Sequence, residues 1–134
     1  MIKLAQRTIT INTPTQKIFK FISNMENYKS WFPGVIDIRS ANDLAHGIVG
    51  KEYKEKLLMP DGESELLIKV VDSIKGRKFQ TQGDLAGVLP QMTIVFSELA
   101  SQVCEVKLQY HSRSQKLDES DDLIVSLQSD LDTR

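Results

Sequence analysis

At 134 residues, with 17 basic and 18 acidic side chains, the chain has the length of one domain, 1–134, and carries almost no net charge. That balance gives no global field for nucleic acid or an anionic membrane surface, and no window approaches the roughly 18 apolar residues of a transmembrane segment. The first residues, MIKLAQRTITIN, have no continuous apolar stretch of the kind a secretory leader needs, so the expected location is cytoplasmic.

Taken in chain order, Ile9 and Ile11 alternate with Thr8 and Thr10, the period of a half-buried strand. Thr13-Pro14-Thr15-Gln16 then reads as a capping box, with Thr13 at the N-cap, Pro14 in the first helical position and Gln16 three residues after the cap. In the helix that follows, Ile18, Phe21, Ile22 and Met25 share one face with Phe19 beside them, while Lys17 and Lys20 point to water. Asn24 caps a second short helix, in which Met25, Tyr28, Trp31 and Phe32 recur before Pro33 and Gly34 end it.

Residues 35–39 alternate as a strand, and 48–58 form a longer one whose dense Lys and Glu on both faces suit a sheet edge. Met59-Pro60-Asp61-Gly62 is a strong turn and closes a hairpin. In the next strand Ser64, Leu66, Ile68, Val70, Asp72 and Ile74 are expected to face inward. After a turn at Lys75-Gly76, residues 78–83 make a polar strand anchored by Phe79. The apolar stretch GDLAGVLP either folds over a cavity mouth or leads into the next strand, 91–98, where Met92, Ile94 and Phe96 share a face. Residues 103–113 finish the meander with Cys104, Val106, Leu108 and Tyr110 on one side. Seven strands joined by hairpins argue for one antiparallel sheet. From Leu117 a short helix is expected, with Asp118 or Ser120 as cap and Leu117, Ile124, Leu127 and Leu131 as its stripe. Cys104 is the single cysteine, which excludes an internal disulfide and fits a packed small hydrophobe.

A strand, then TPTQKIFKFI, then NMENYKSWFPGV, resembles the opening of the START-like superfamily, also known as SRPBCC and including the polyketide cyclase/dehydrase and Bet v 1-like proteins. The resemblance implies an α+β helix-grip fold: a seven-stranded curved antiparallel sheet, two short helices after strand 1 and a C-terminal helix that here is shorter than usual. It also implies an internal apolar cavity. A short last helix leaves part of the sheet's mouth uncovered, including the 86–89 loop and the faces of Trp31 and Phe32, to be closed by a second copy in a homodimer or by a bound apolar ligand.

The function expected from the resemblance is binding, for transport or sequestration, of a small hydrophobic ligand such as a lipid, isoprenoid, quinone or aromatic metabolite. The expected ligand-binding residues are Trp31, Phe32, Tyr53, Leu57, Ile68, Val70, Met92, Ile94, Phe96, Leu108, Tyr110, Ile124 and Leu127. The alternatives are a cyclase/dehydratase-type enzyme in the same cavity, for which Tyr53, Glu55 and Tyr110 are the catalytic nominees, and a partner-binding module of co-chaperone or ribosome-associated type. General acid/base work by Glu55 would need a carboxyl buried enough to raise its pKa, whereas a solvated edge strand is the simpler reading. His46 lies in a polar loop and His111 on an outward, charged face, so neither suggests a metal site or cofactor.

Overall fold

Seven strands form one antiparallel sheet in the computed structural model, which describes residues 2–85 and 87–114. They are β1 (Ile2–Ile11), β2 (Val35–Ser40), β3 (Glu52–Met59), β4 (Gly62–Ile74), β5 (Lys78–Gly83), β6 (Pro90–Ala100) and β7 (Val103–Ser112). The order is β1-β7-β6-β5-β4-β3-β2. The first two strands of the chain are thus the two edges, and the segment between them must cross the sheet. It does so as helix α1 (Thr15–Ser23) followed by a 3-10 helix, Met25–Ser30. The architecture is α+β and helix-grip-like. Register shifts between Lys3 and Ala5, Val35 and Asp37, Val70 and Asp72, and Glu98 and Ala100 mark bulges, the device that bends a strand around what it encloses.

The inner face is built from alternating side chains. Leu66, Ile68 and Val70 of β4, Phe79 of β5, Met92, Ile94 and Phe96 of β6, and Cys104, Val106 and Tyr110 of β7 are all buried. Helix α1 enters this core through Phe19, whose ring meets Phe96 edge-on at 5.2 Å and Phe79 at 6.4 Å. The turn at Pro60-Asp61 is as expected, with Met59 paired to Gly62 and Gly62 at φ 124°.

Several sequence expectations are corrected. Pro14 occupies the N-cap of α1 and no side chain caps it; the Pro14 carbonyl accepts from Lys17 N (3.1 Å) and Ile18 N (3.2 Å) instead. Asn24 does cap the second helix, its Oδ1 accepting from Glu26 N at 3.1 Å. On α1 the buried aromatic is Phe19, and Phe21 is 46% exposed. Strand β3 is not an edge, since β2 lies outside it; its charges divide by face, with Lys54 and Lys56 outward and Glu55 inward. Ile74 is exposed because the bulge after Val70 breaks the alternation. In the loop after β5, Leu85 and Val88 are buried, Gly87 is exposed and Leu89 half-buried, and the Val88 carbonyl accepts from Ser112 Oγ. The helix expected from Leu117 lies outside the described residues.

Candidate functional site

Where β1, β7 and β6 run beneath α1, the inner face leaves a cavity of about 420 Å³. Arg7, Ile9 and Ile11 reach it from β1 and Ile94, Val106 and Leu108 from β6 and β7. Ile18, Phe21 and Ile22 of α1 form the opposite wall, and Trp31 and Phe32, just past the 3-10 helix, form the end. Among the described residues, Arg7 is the one charged residue in that lining. The Trp31 indole nitrogen is buried without a hydrogen-bond partner among the described residues.

Two residues further along the same strands is a second, much smaller chamber of about 10 Å³. Its walls hold Glu55, Tyr28, Thr81 and Tyr110 among apolar neighbours. Glu55 is only 4% exposed. Burial disfavours its charged form and pushes the carboxyl up to about 8. Tyr110 is raised as well, first by burial and then by the nearby Glu55 carboxylate.

A third polar group lies behind the 3-10 helix. The buried Tyr53 hydroxyl shares a 2.6 Å hydrogen bond with His46 Nδ1, and the two rings stack at 5.7 Å. His46 Nε2 is 3.4 Å from Glu26 Oε1, and Glu26 Oε2 accepts from Ser40 Oγ. Burial pushes the Tyr53 phenol up to about 12, with a backbone hydrogen bond at Met25 opposing and Glu26 adding to the rise. Lys51 Nζ sits 5.5 Å over the Tyr53 ring and donates to Asn42 O at 2.7 Å. His46 is therefore bound into the structure and not simply solvated. His111 has its Nδ1 buried without a partner among the described residues, and burial holds the imidazole below its ordinary pKa, helped by Lys3 and the N-terminus. Among the described residues no group of three or more His, Cys, Asp or Glu is placed to hold a metal ion, and no helix is long and apolar enough to cross a membrane.

No family model matches the sequence, and no curated protein matches it significantly. Solved structures do. A START superfamily protein from Mycobacterium smegmatis is similar with a TM-score of 0.69 and 8% identity, over 85% of this chain and 79% of its own. The chain has the START-like fold. The di-domain ARO/CYC BexL from the BE-7585A biosynthetic pathway is similar at a TM-score of 0.66 and 10% identity, over 98% of this chain but 47% of its own, so this chain spans about half of it. Ara h 8.0201 has a TM-score of 0.64 and 12% identity, over 96% of this chain and 88% of its own.

Within this START-like sheet the residues expected to bind ligand fall into four groups. Trp31, Phe32, Ile94 and Leu108 line the larger cavity, while Ile68, Met92 and Tyr110 line the small chamber with Glu55. Tyr53, Leu57, Val70 and Phe96 are buried in the core and line neither. Ile124 and Leu127 lie outside the described residues. The catalytic nominees do not form one site: Glu55 and Tyr110 share the chamber, and Tyr53 is turned to His46. Sequence reasoning did not nominate Arg7, Ile9, Ile11, Ile18, Phe21, Ile22 or Val106 as ligand-binding, although continuing the alternation back from Ile9 and Ile11 places Arg7 on their face.

Proposed function

We propose that this START-like chain binds a small, mostly apolar molecule, of the class of a lipid, isoprenoid, quinone or aromatic metabolite, for transport or sequestration. The observation that carries the reading is the cavity: about 420 Å³, walled among the described residues by aliphatic and aromatic side chains with one charged residue, Arg7. Pockets for small ligands run from about 300 to 1,000 Å³ and combine this kind of apolar wall with few polar groups. Burial of apolar ligand surface, worth roughly 25 cal/mol per Å², supplies the affinity.

Native mass spectrometry of the freshly purified protein tests this reading. The expected spectrum shows a retained apolar molecule that organic extraction removes. The same spectrum counts subunits, and so distinguishes a monomer whose cavity is filled by ligand from a homodimer closed by a second copy of the chain. A ligand-free protein that also takes up no apolar compound when offered a varied set overturns the proposal.

A further inference from the structure

Glu55 is a buried carboxyl that the larger cavity does not touch. Among the described residues, no ion pair involves it and no Lys, Arg or His lines its chamber. The chamber has room for about one water molecule. Yet it is the immediate continuation of the cavity. Met92 and Tyr110 line the chamber, whereas Ile94 and Leu108, two residues away on the same strands and the same face, line the cavity. Two residues along a strand is about 7 Å.

A stack of three rings stands between the two spaces. Tyr28 lies on Phe32 at 4.7 Å and 24°, and Phe32 lies on Tyr110 at 5.5 Å and 28°. Phe32 faces the cavity, and Tyr28 and Tyr110 face the chamber. We infer that cavity and chamber are two ends of one binding site, in which the cavity takes the apolar body of the ligand and Glu55, beyond the ring stack, donates a hydrogen bond to a carbonyl oxygen on it.

This inference rests on the cavity-binding reading and names its ligand more closely. A neutral carboxyl group offers one strong O–H donor, and the Thr81 and Tyr110 hydroxyls stand in the same walls. A ligand carboxylate would arrive where no cation among the described residues receives it. A ligand ammonium would require Glu55 to ionise in a buried setting, where the desolvation of both charges opposes the pairing. A ketone, quinone or similar neutral carbonyl meets neither objection. For it to reach Glu55, the Phe32 ring must turn out of the stack; Phe32 is followed directly by Pro33 and Gly34, the latter at φ 82°. No covalent bond changes in this step.

The test uses a naphthyl methyl ketone and its hydrocarbon counterpart, ethylnaphthalene, each titrated into the parent protein, Glu55→Leu and Glu55→Gln while Trp31 emission is followed. The parent is expected to bind the ketone roughly tenfold more tightly than the hydrocarbon, the fold-change of one added hydrogen bond to a neutral acid. Glu55→Leu is expected to bind both alike, and Glu55→Gln, which keeps an N–H donor of similar shape, to retain most of the preference. Should Glu55→Leu not fold, the infrared carbonyl stretch of the ketone on the parent decides: a shift below its frequency in hydrocarbon solvent supports the inference, and an unshifted band overturns it. Equal binding of the two compounds by the parent, a preference that survives in Glu55→Leu, or tighter binding of a naphthyl amine than of the ketone also overturns it. Binding of neither compound overturns the cavity reading itself and so is distinguishable from failure of the carbonyl assignment.

Discussion

Burial of Glu55 costs the folded state whenever the carboxyl is ionised, because no cation among the described residues stands in its chamber. The ordinary value is 4.5 and the folded value about 8, so between them the folded protein holds one proton more than the unfolded chain. The stabilising contribution is therefore complete below 4.5, is lost as pH rises through 8, and changes no further above it. Glu55→Gln mimics the protonated acid at every pH. Denaturant melts are expected to show parent and variant alike near pH 4 and the variant more stable near pH 9, by roughly 3 to 5 kcal/mol; parallel profiles would contradict the assignment. Two residues earlier on the same face of β3, Tyr53→Phe removes the 2.6 Å bond to His46 and is expected to cost about 1 kcal/mol in the same assay. Neither environment was legible from composition. A period-two reading puts Glu55 on the face of Tyr53 and Leu57, but the surrounding lysines made a solvated strand the simpler reading. The contact of His46 with Tyr53 depends on how 47–50 folds back, which no local pattern reports.

Helix α1 joins the sheet mainly through one ring. Phe19 is 7% exposed and meets both Phe79 and Phe96 edge-on, so truncating it leaves a cavity bounded by β5 and β6. Phe19→Ala is expected to lower the unfolding free energy by about 3 to 5 kcal/mol, while Phe21→Ala, at the half-exposed cavity rim, costs much less. Chemical denaturation of the pair checks the difference, and equal losses would contradict the packing described. The sequence pattern located this helix and put Phe21 on its apolar face with Phe19 beside it, but did not separate the ring that packs on the sheet from the one at the cavity rim, because Ile18, Phe21 and Ile22 line the cavity and so form a second apolar surface. Strands and tight turns were easier to read, since alternation and the Pro60-Asp61-Gly62 turn are local properties. Which strand forms an edge is not local: β2 covers β3 only once the chain has crossed the sheet. The loop through Leu85 and Val88 was ambiguous for the same reason, as its buried position depends on Ser112 and Arg113 at the far end of β7; Arg113 N donates to Leu89 O at 2.9 Å.

At the scale of the molecule, the cavity exists because elements far apart in sequence converge. Residues 7–11, 18–32, 94 and 106–108 meet around one space, with bulged strands on one side and α1 on the other. The order of elements, with paired helices between the first two strands, made the START-like fold legible from the sequence. The walls were legible only in part, because alternation tells which side chains face inward but not which of them leave room between them. Filling that room gives the most direct test of the binding account. Trp31, the only tryptophan, stands in the cavity wall, and its emission reports occupation. Titration of the parent with a hydrophobic naphthalene dye is expected to give a saturable change, and Leu108→Phe, which places extra carbons in the cavity, to weaken binding at least about fivefold through roughly 1 to 3 kcal/mol of overpacking, with the fold retained. No saturable change in the parent, or an affinity unaltered by Leu108→Phe, would contradict it.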